Sequence, residues 1–510
     1  MPRADKKKPF KFHVLVTTYE VAIKDIGLLS KIRWRCLVVD EAHRLKNQSS
    51  RLVEQLRGLR RDHCVLLTGT PLQNKTEELW ALLNFLDGQS FPSVSDFLAQ
   101  FGDLHDAQQV ADLHKMLKPY LLRRVKEDVE KSLPPKEETI IEVELTPVQK
   151  QWYRAIYERN TAFLSRGGNP QNVPNLMNVM MELRKCCNHP YLNNGVEERL
   201  VEGLTTDRER HEMLVKCCGK MVLLDKLLPR LKDGGHKVLI FSQMVRVLDI
   251  LEDYLRALGY LYERLDGNIR GNDRQAAVDR FVKPEYNRFV MLLSTKAGGL
   301  GLNLTAADTV VIFDSDWNPQ NDLQAQARAH RIGQTHSVKI YRLITRKTYE
   351  MHMFHKASLK LGLDKAVLTH MRRENEDAGG GNKKRSSKAQ EAKEIDELLK
   401  RGAYDVFRDD DSAAEQFCAA DIDAILQRSS QIVQYEQEAK SSFSKASFVS
   451  ATTSDDVDID DPDFWKKAVG LTEPEPAEAE DALPLQRKRT RVSRFGVGGS
   501  DNRWCQRSQR

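Results

Sequence analysis

Val38-Val39-Asp40-Glu41-Ala42-His43 places two adjacent carboxylates directly after a short apolar run. A first carboxylate there can hold a magnesium ion through its water shell. The second can orient and deprotonate a water that attacks a phosphoryl group. A solvated acidic turn after a strand fits the same residues, so the run alone leaves both readings open. Leu66-Leu67-Thr68-Gly69-Thr70-Pro71-Leu72-Gln73-Asn74 follows the next apolar run. Its hydroxyls and glycine suit a phosphate-sensing loop, or an ordinary turn before a helix. Far downstream, Gln324-Ala325-Gln326-Ala327-Arg328-Ala329-His330-Arg331-Ile332-Gly333-Gln334 carries two arginines three apart. That spacing predicts one helical face. From it, Arg328 and Arg331 can reach phosphates as arginine fingers, or form a basic solvated surface. The glycines of Ser294-Thr295-Lys296-Ala297-Gly298-Gly299-Leu300-Gly301-Leu302-Asn303-Leu304 allow close backbone approach to a phosphate. Thr295 and Lys296 can contact a nucleic-acid backbone. Trp317, in Asp314-Ser315-Asp316-Trp317-Asn318-Pro319, can reach DNA or pack in a core.

The elements that must position these groups read as two sets of strands. The first comprises Val14-Leu15-Val16-Thr17, Cys36-Leu37-Val38-Val39 and Val65-Leu66-Leu67. The second comprises Val238-Leu239-Ile240-Phe241, Phe289-Val290-Met291-Leu292, Thr309-Val310-Val311-Ile312 and Val338-Lys339-Ile340-Tyr341. Near-continuous apolar runs of this length suit parallel strands covered on both faces. Asp40, Thr68, Ser242, Ser294 and Asp314 mark their C-terminal ends, the edge where open α/β sheets bind ligands. The fold class is therefore α/β, with two doubly wound lobes. Between them, roughly Glu77 to Leu227 reads as helical.

The chain has 510 residues, 40% hydrophobic and 30% charged, with a net charge of +6. That leaves room for two or three domains plus tails and permits nucleic-acid binding without requiring it. Met1 to Phe12 is basic but has no apolar core of a secretory signal, and no apolar run approaches a membrane span. Eight scattered cysteines make no disulfide framework and point to a reducing compartment. Cys186-Cys187 and Cys217-Cys218 lack zinc-ribbon spacing, so packing is the expected role. Gly379 to Lys388 reads as a flexible basic linker, followed by short helical patches such as Glu394 to Arg401 and Ala420 to Gln427. From Ser441 onward the composition is that of a disordered segment, acidic from Asp455 to Asp481 and basic from Arg487 to Arg510. Lys383-Lys384-Arg385 and Arg487-Lys488-Arg489-Thr490-Arg491 suit nuclear import signals or solvated basic tails equally.

In this order, the strings resemble the SWI/SNF-type branch of superfamily-two helicase-like ATPases. Leu122-Arg123-Arg124-Val125-Lys126-Glu127-Asp128-Val129, Leu183-Arg184-Lys185-Cys186-Cys187-Asn188-His189-Pro190-Tyr191-Leu192 and Arg264-Leu265-Asp266-Gly267 strengthen the match. Ala357 to Leu368 and Arg401-Gly402-Ala403-Tyr404 resemble the chromodomain-helicase-DNA-binding family, especially its Kismet-like branch. The resemblance implies two RecA-like lobes, the first incomplete, closing on ATP and magnesium. Asp40 and Glu41 would be the Walker B pair, with Asp40 holding magnesium through water and His43 coupling. Arg328 and Arg331 would be the fingers. Thr68, Gly69, Gln73, Gly299 and Gln324 would contact nucleotide, and Thr295, Lys296, Asn303 and Trp317 would contact DNA. Lys296 stands where an arginine is common in the family, which forfeits bidentate grip on phosphate.

The implied organisation is a partial first lobe over 1–135, a helical protrusion over 136–221 and a second lobe over 222–371. A linker with short helices follows over 372–470, then a disordered tail over 471–510. The implied partners are double-stranded DNA, nucleosomes and histones, within a larger remodelling complex, in the nucleus and with no membrane. No Gly-x-x-x-x-Gly-Lys-Ser/Thr occurs; Gly219-Lys220-Met221 is the nearest approach. The phosphate loop, adenine-contacting segment and first strand are expected upstream of Met1. This polypeptide alone is accordingly expected to bind ATP poorly and to expose apolar surface in its first lobe. Two other functions stand beside the motor: a non-catalytic chromatin-binding short form, and an RNA helicase or repair translocase of the same superfamily.

Overall fold

A computed structural model describes residues 11–47, 50–69, 76–101, 107–122, 124, 129–130, 132–160, 173–269, 271–298, 301–357, 395–396, 399–400, 402–403, 406 and 411–434. These divide into two compact units, with the chain passing from one to the other at Arg123–Arg124.

The first unit is built on β1 (Trp34–Val39) and β2 (Arg61–Leu66), parallel and in register from Trp34 against Arg61 to Val39 against Leu66. The helix Arg51–Arg57 starts on Ser50, whose hydroxyl accepts the Val53 N–H, and covers one face of this pair. Val39, Ala42, Leu45, Val53, Leu56, Leu82 and Phe85 form that core. The helix Thr76–Leu86 serves two cores at once. Leu82 and Phe85 point to the sheet, while Leu79, Trp80 and Leu83 join Phe91, Phe97, Phe101 and Leu113. The expected exposed apolar surface is present. The register partners Val38 and Val65 are 57% and 43% exposed. Val14–Thr17 forms no strand and pairs with neither β1 nor β2. An apolar run becomes a strand only where a neighbour supplies its ladder.

The second unit is a seven-stranded sheet in the order β5-β6-β4-β7-β8-β3-β9. It comprises β3 (Lys136–Val143), β4 (Val238–Ser242), β5 (Tyr262–Leu265), β6 (Val290–Ser294), β7 (Thr309–Ile312), β8 (Val338–Thr345) and β9 (Ser430–Gln434). All neighbours are parallel except β3 and β9. Side chains alternate strictly between two cores. Val238 and Ile240 of β4 face one, Leu239 and Phe241 the other; Val290 and Leu292 of β6 face the first, Met291 and Leu293 the second. This two-sided burial, about 1.5–3 kcal/mol per side chain, is why these strands read as unbroken apolar runs. The doubly wound α/β class expected from sequence is thus realised.

Lys136–Val143 departs from the helical reading of this region. It is a strand, paired along its whole length with β8. Thr146 then caps the helix Pro147–Arg159 in a reciprocal box with Gln149. The helix Gly219–Asp233 packs against this corner. A Cβ on Gly219 would stand 2.2 Å from the Glu144 carbonyl oxygen, a contact between two backbones that cannot yield. Gly219→Ala is therefore expected to destabilise the unit by about 3 kcal/mol, lowering its thermal midpoint by about 6–10 °C. An unchanged midpoint would show that the corner relaxes freely.

Lys220, beside it, is no phosphate lysine. Its Nζ lies 2.7 Å from Glu350 Oε1 and donates to the Asn188 side chain and the Phe313 carbonyl, all buried. The four paired cysteines are buried as well. Burial pushes their thiols up, Cys187 to about 12 and Cys218 to about 11, so they remain protonated. Among the described residues no His/Cys/Asp/Glu group is arranged to hold a metal ion, and no helix is long and apolar enough to cross a membrane.

Candidate functional site

In the first unit the ends of β1 and β2 are stitched together. Leu67 N–H donates to Val39 O at 2.8 Å, and Ala42 N–H returns to Leu67 O at 2.9 Å. The two bonds set Asp40 and Glu41 beside Thr68 and Gly69. Glu41 sits in the left-handed region, at φ 48° and ψ 51°. For a residue with a Cβ this costs about 1–3 kcal/mol, a strain that points to use. The Asp40 carboxylate accepts the Glu41 N–H at 2.9 Å through Oδ1. His43 Nδ1 lies 3.2 Å from Glu41 Oε2, close but off the line of a hydrogen bond. Gln73 lies outside the described residues.

Sequence reading missed what holds this turn. The Tyr19 hydroxyl donates to the Asp40 carbonyl. Burial pushes its pKa up, against the pull of Arg44, which keeps it a donor. Arg44 lies over the Tyr19 ring at 4.5 Å and pairs with Glu20 at 2.8 Å. A tyrosine this far from the acidic run gives no local signal.

In the second unit the candidate residues divide between the two ends of the sheet: Thr295, Lys296 and Trp317 follow the C-terminal ends of β6 and β7, while Arg328 and Arg331 lie in the loop that leads into β8, bonded to the segments just before β7 and β3. The short helix Thr295–Gly298 follows β6 directly, with Thr295 buried and Lys296 exposed. Asn303 is exposed, and the next residue, Leu304, donates its N–H to Arg328 O at 3.2 Å. Gly299 lies outside the described residues. Trp317 is half-buried and packs against a helical core that includes Leu145, Tyr153, Leu183 and Met353.

The arginines correct the helical expectation. The helix Pro319–Gln326 stops at Ala327, so Gln324 is helical while Arg328 and Arg331 lie in successive turns. Gln334 closes these turns by donating to Ala307 O at 2.8 Å and Ala329 O at 3.1 Å. Arg331 is exposed, and among the described residues it pairs with no carboxylate. Beneath the turns runs a buried charge network absent from the sequence reading. Arg342 donates to Glu138 at 2.9 Å, to Asp322 at 2.6 Å and to Ser315 Oγ at 3.0 Å. Complete burial pushes Asp322 up to about 6, with Arg342 pulling against it. Asp314 accepts from Gln243 N–H at 3.0 Å and from Arg184 at 3.3 Å. These bonds fix the Asp314–Pro319 loop.

Known proteins match in the same two parts. Residues 2–192 match the SNF2-related domain, and residues 219–333 the helicase conserved C-terminal domain. Human chromodomain-helicase-DNA-binding protein 6 is 55% identical over 494 residues, covering 94% of this chain and 18% of that protein. Human chromodomain-helicase-DNA-binding protein 7 is 58% identical over 471 residues, 90% of this chain and 15% of that protein. Zebrafish (Danio rerio) protein 8 of the same name is 59% identical over 469 residues, 90% of this chain and 18% of that protein. The chain spans less than a fifth of the length of these curated relatives. A strained Asp-Glu-Ala-His turn on one parallel sheet, an arginine loop on a second, and this degree of identity along nearly the whole chain agree: the chain belongs to the SWI/SNF-type helicase-like ATPases, in the chromodomain-helicase-DNA-binding family.

Proposed function

We propose that this chain is most of an ATP-driven motor that translocates double-stranded DNA and thereby moves nucleosomes in the nucleus. The observation that carries the reading is the left-handed Glu41 turn, which sets two carboxylates side by side at the end of a parallel strand. Glu41 orients and deprotonates the attacking water, and His43 couples that step to the rest of the lobe. The residues present fit magnesium: Asp40, a hard carboxylate, would hold the ion through its water shell. Bound there, the ion neutralises charge on the phosphates. Thr68, Gly69, Gln73, Gly299 and Gln324 contact nucleotide, and Arg328 and Arg331 stabilise the transition state. Lys296 and Asn303 grip the DNA backbone, with Thr295 and Trp317 shaping that surface. Alternating grip, driven by closing and reopening of the two lobes, steps the duplex along. Histones are contacted within a larger complex.

The chain carries no phosphate-binding loop, and Lys220 is committed to Glu350. This supports a second reading for the 510-residue polypeptide on its own, as a chromatin-binding form that hydrolyses little ATP. One experiment separates the readings. ATP hydrolysis is measured for a form of the protein that carries a phosphate-binding loop, with the 510-residue chain as matched control. Nucleosomes should stimulate the former most, bare duplex less and RNA least. The apparent DNA affinity should fall steeply with salt, as phosphate contact requires. Strongest stimulation by RNA would sink the remodelling assignment. Equal hydrolysis by the control would remove the need for the missing loop.

A further inference from the structure

Near the start of the second unit, Leu133-Pro134-Pro135 runs straight into β3. This entry segment grips the arginine loop at three places. At its start, Gln326 is the last residue of its helix and 1% exposed. Its amide oxygen accepts from Lys136 Nζ at 3.3 Å, and its amide nitrogen donates to Glu138 Oε1 at 3.1 Å. In the middle, His330 Nε2 donates to Pro134 O at 2.9 Å. At the end, Val338 N–H donates to Pro135 O at 3.1 Å. Glu138 is in turn held by Arg342 at 2.9 Å. Consecutive prolines fix their own φ angles, so the two acceptor carbonyls are presented on a stiff rod. A leucine at position 326 would fill the same space. Only the amide gives direction, because each of its ends has its own partner.

We propose that Pro134–Glu138 is a positioning strap for the arginine loop, with Gln326 as its main latch. The strap sets where Arg328 and Arg331 stand. The role rests on the finger assignment above, and the experiment tells the two apart. Hydrogen exchange by mass spectrometry is followed in the full 510-residue chain with Gln326→Leu. Amides in 327–337 should exchange at least about tenfold faster, since the bonds to both Lys136 and Glu138 are lost, while β4 and β6 keep their protection. Lys136→Met, which removes only the half-buried partner, should give a smaller rise and keeps the test open if Gln326→Leu fails to fold. Unchanged loop exchange in the variant that folds overturns the strap. In the form that hydrolyses ATP, Gln326→Leu should lower kcat about tenfold with KM for ATP unchanged, since a misplaced finger is missed only in the transition state. A loosened loop with normal kcat overturns the positioning role. If Arg331→Ala also turns over normally, the fault lies in the finger assignment instead.

Discussion

Glu41→Gln is expected to cut ATP turnover by about 10²–10⁴-fold, the range for losing a general base, while leaving nucleotide binding in place. The substitution preserves shape and removes only the capacity to take a proton. It also preserves the turn. Asp40 Oδ1 is held by the backbone N–H of residue 41, which any side chain supplies. The ladder bonds from Leu67 to Val39 and from Ala42 to Leu67 involve no side chain. The left-handed backbone at φ 48° is no harder for glutamine than for glutamate. Folding and substrate affinity should therefore match the parent, and the defect should appear in kcat alone. The measurement is single-turnover hydrolysis beside equilibrium nucleotide binding, in the form that carries a phosphate-binding loop. Turnover within twofold of the parent would strip Glu41 of its role.

The sequence made some elements plain and hid others for physical reasons. β4, β6 and β7 are buried on both faces, so their apolar runs read as central strands. β3 is the opposite case. Lys136-Glu137-Glu138-Thr139-Ile140-Ile141-Glu142-Val143 looks too charged for an interior strand, yet Glu138 is buried. Its neutralising partner, Arg342, lies far along the chain, where no local window reaches. Val14–Thr17 errs the other way, being apolar enough for a strand but without a ladder. Ala327 to His330 has good helix formers, so its spacing reads as a helix. Tertiary bonds from Gln334 and to Pro134 hold it as turns instead. At the candidate site, the sequence offered residue types that suit the proposed chemistry. The strained conformation of Glu41 and the Tyr19 support were not legible, since both arise only from the folded path of the chain.

Arg331→Ala is expected to lower kcat by about 10³–10⁵-fold, the range for an arginine finger, with little change in KM for ATP or in duplex affinity. Arg331 is the cleaner probe of the two arginines. Its guanidinium is exposed and, among the described residues, engages no carboxylate, so truncation should leave the loop intact. Arg328 is different. Its Nε is buried, so truncating the side chain removes packing from the loop as well as the charge. The backbone around Arg331 is fixed from both sides, by His330 on Pro134 and Gln334 on Ala307 and Ala329. A pinned turn fixes where the side chain is rooted before phosphate arrives, which lowers the ordering cost of reaching the transition state. Arg331→Lys should recover only part of the loss, because an ammonium keeps the charge but not the two-pronged geometry. Full activity of the lysine variant would reduce the role to charge alone. Full activity of the alanine variant would strip Arg331 of the finger role and leave Arg328 as the only candidate in this loop.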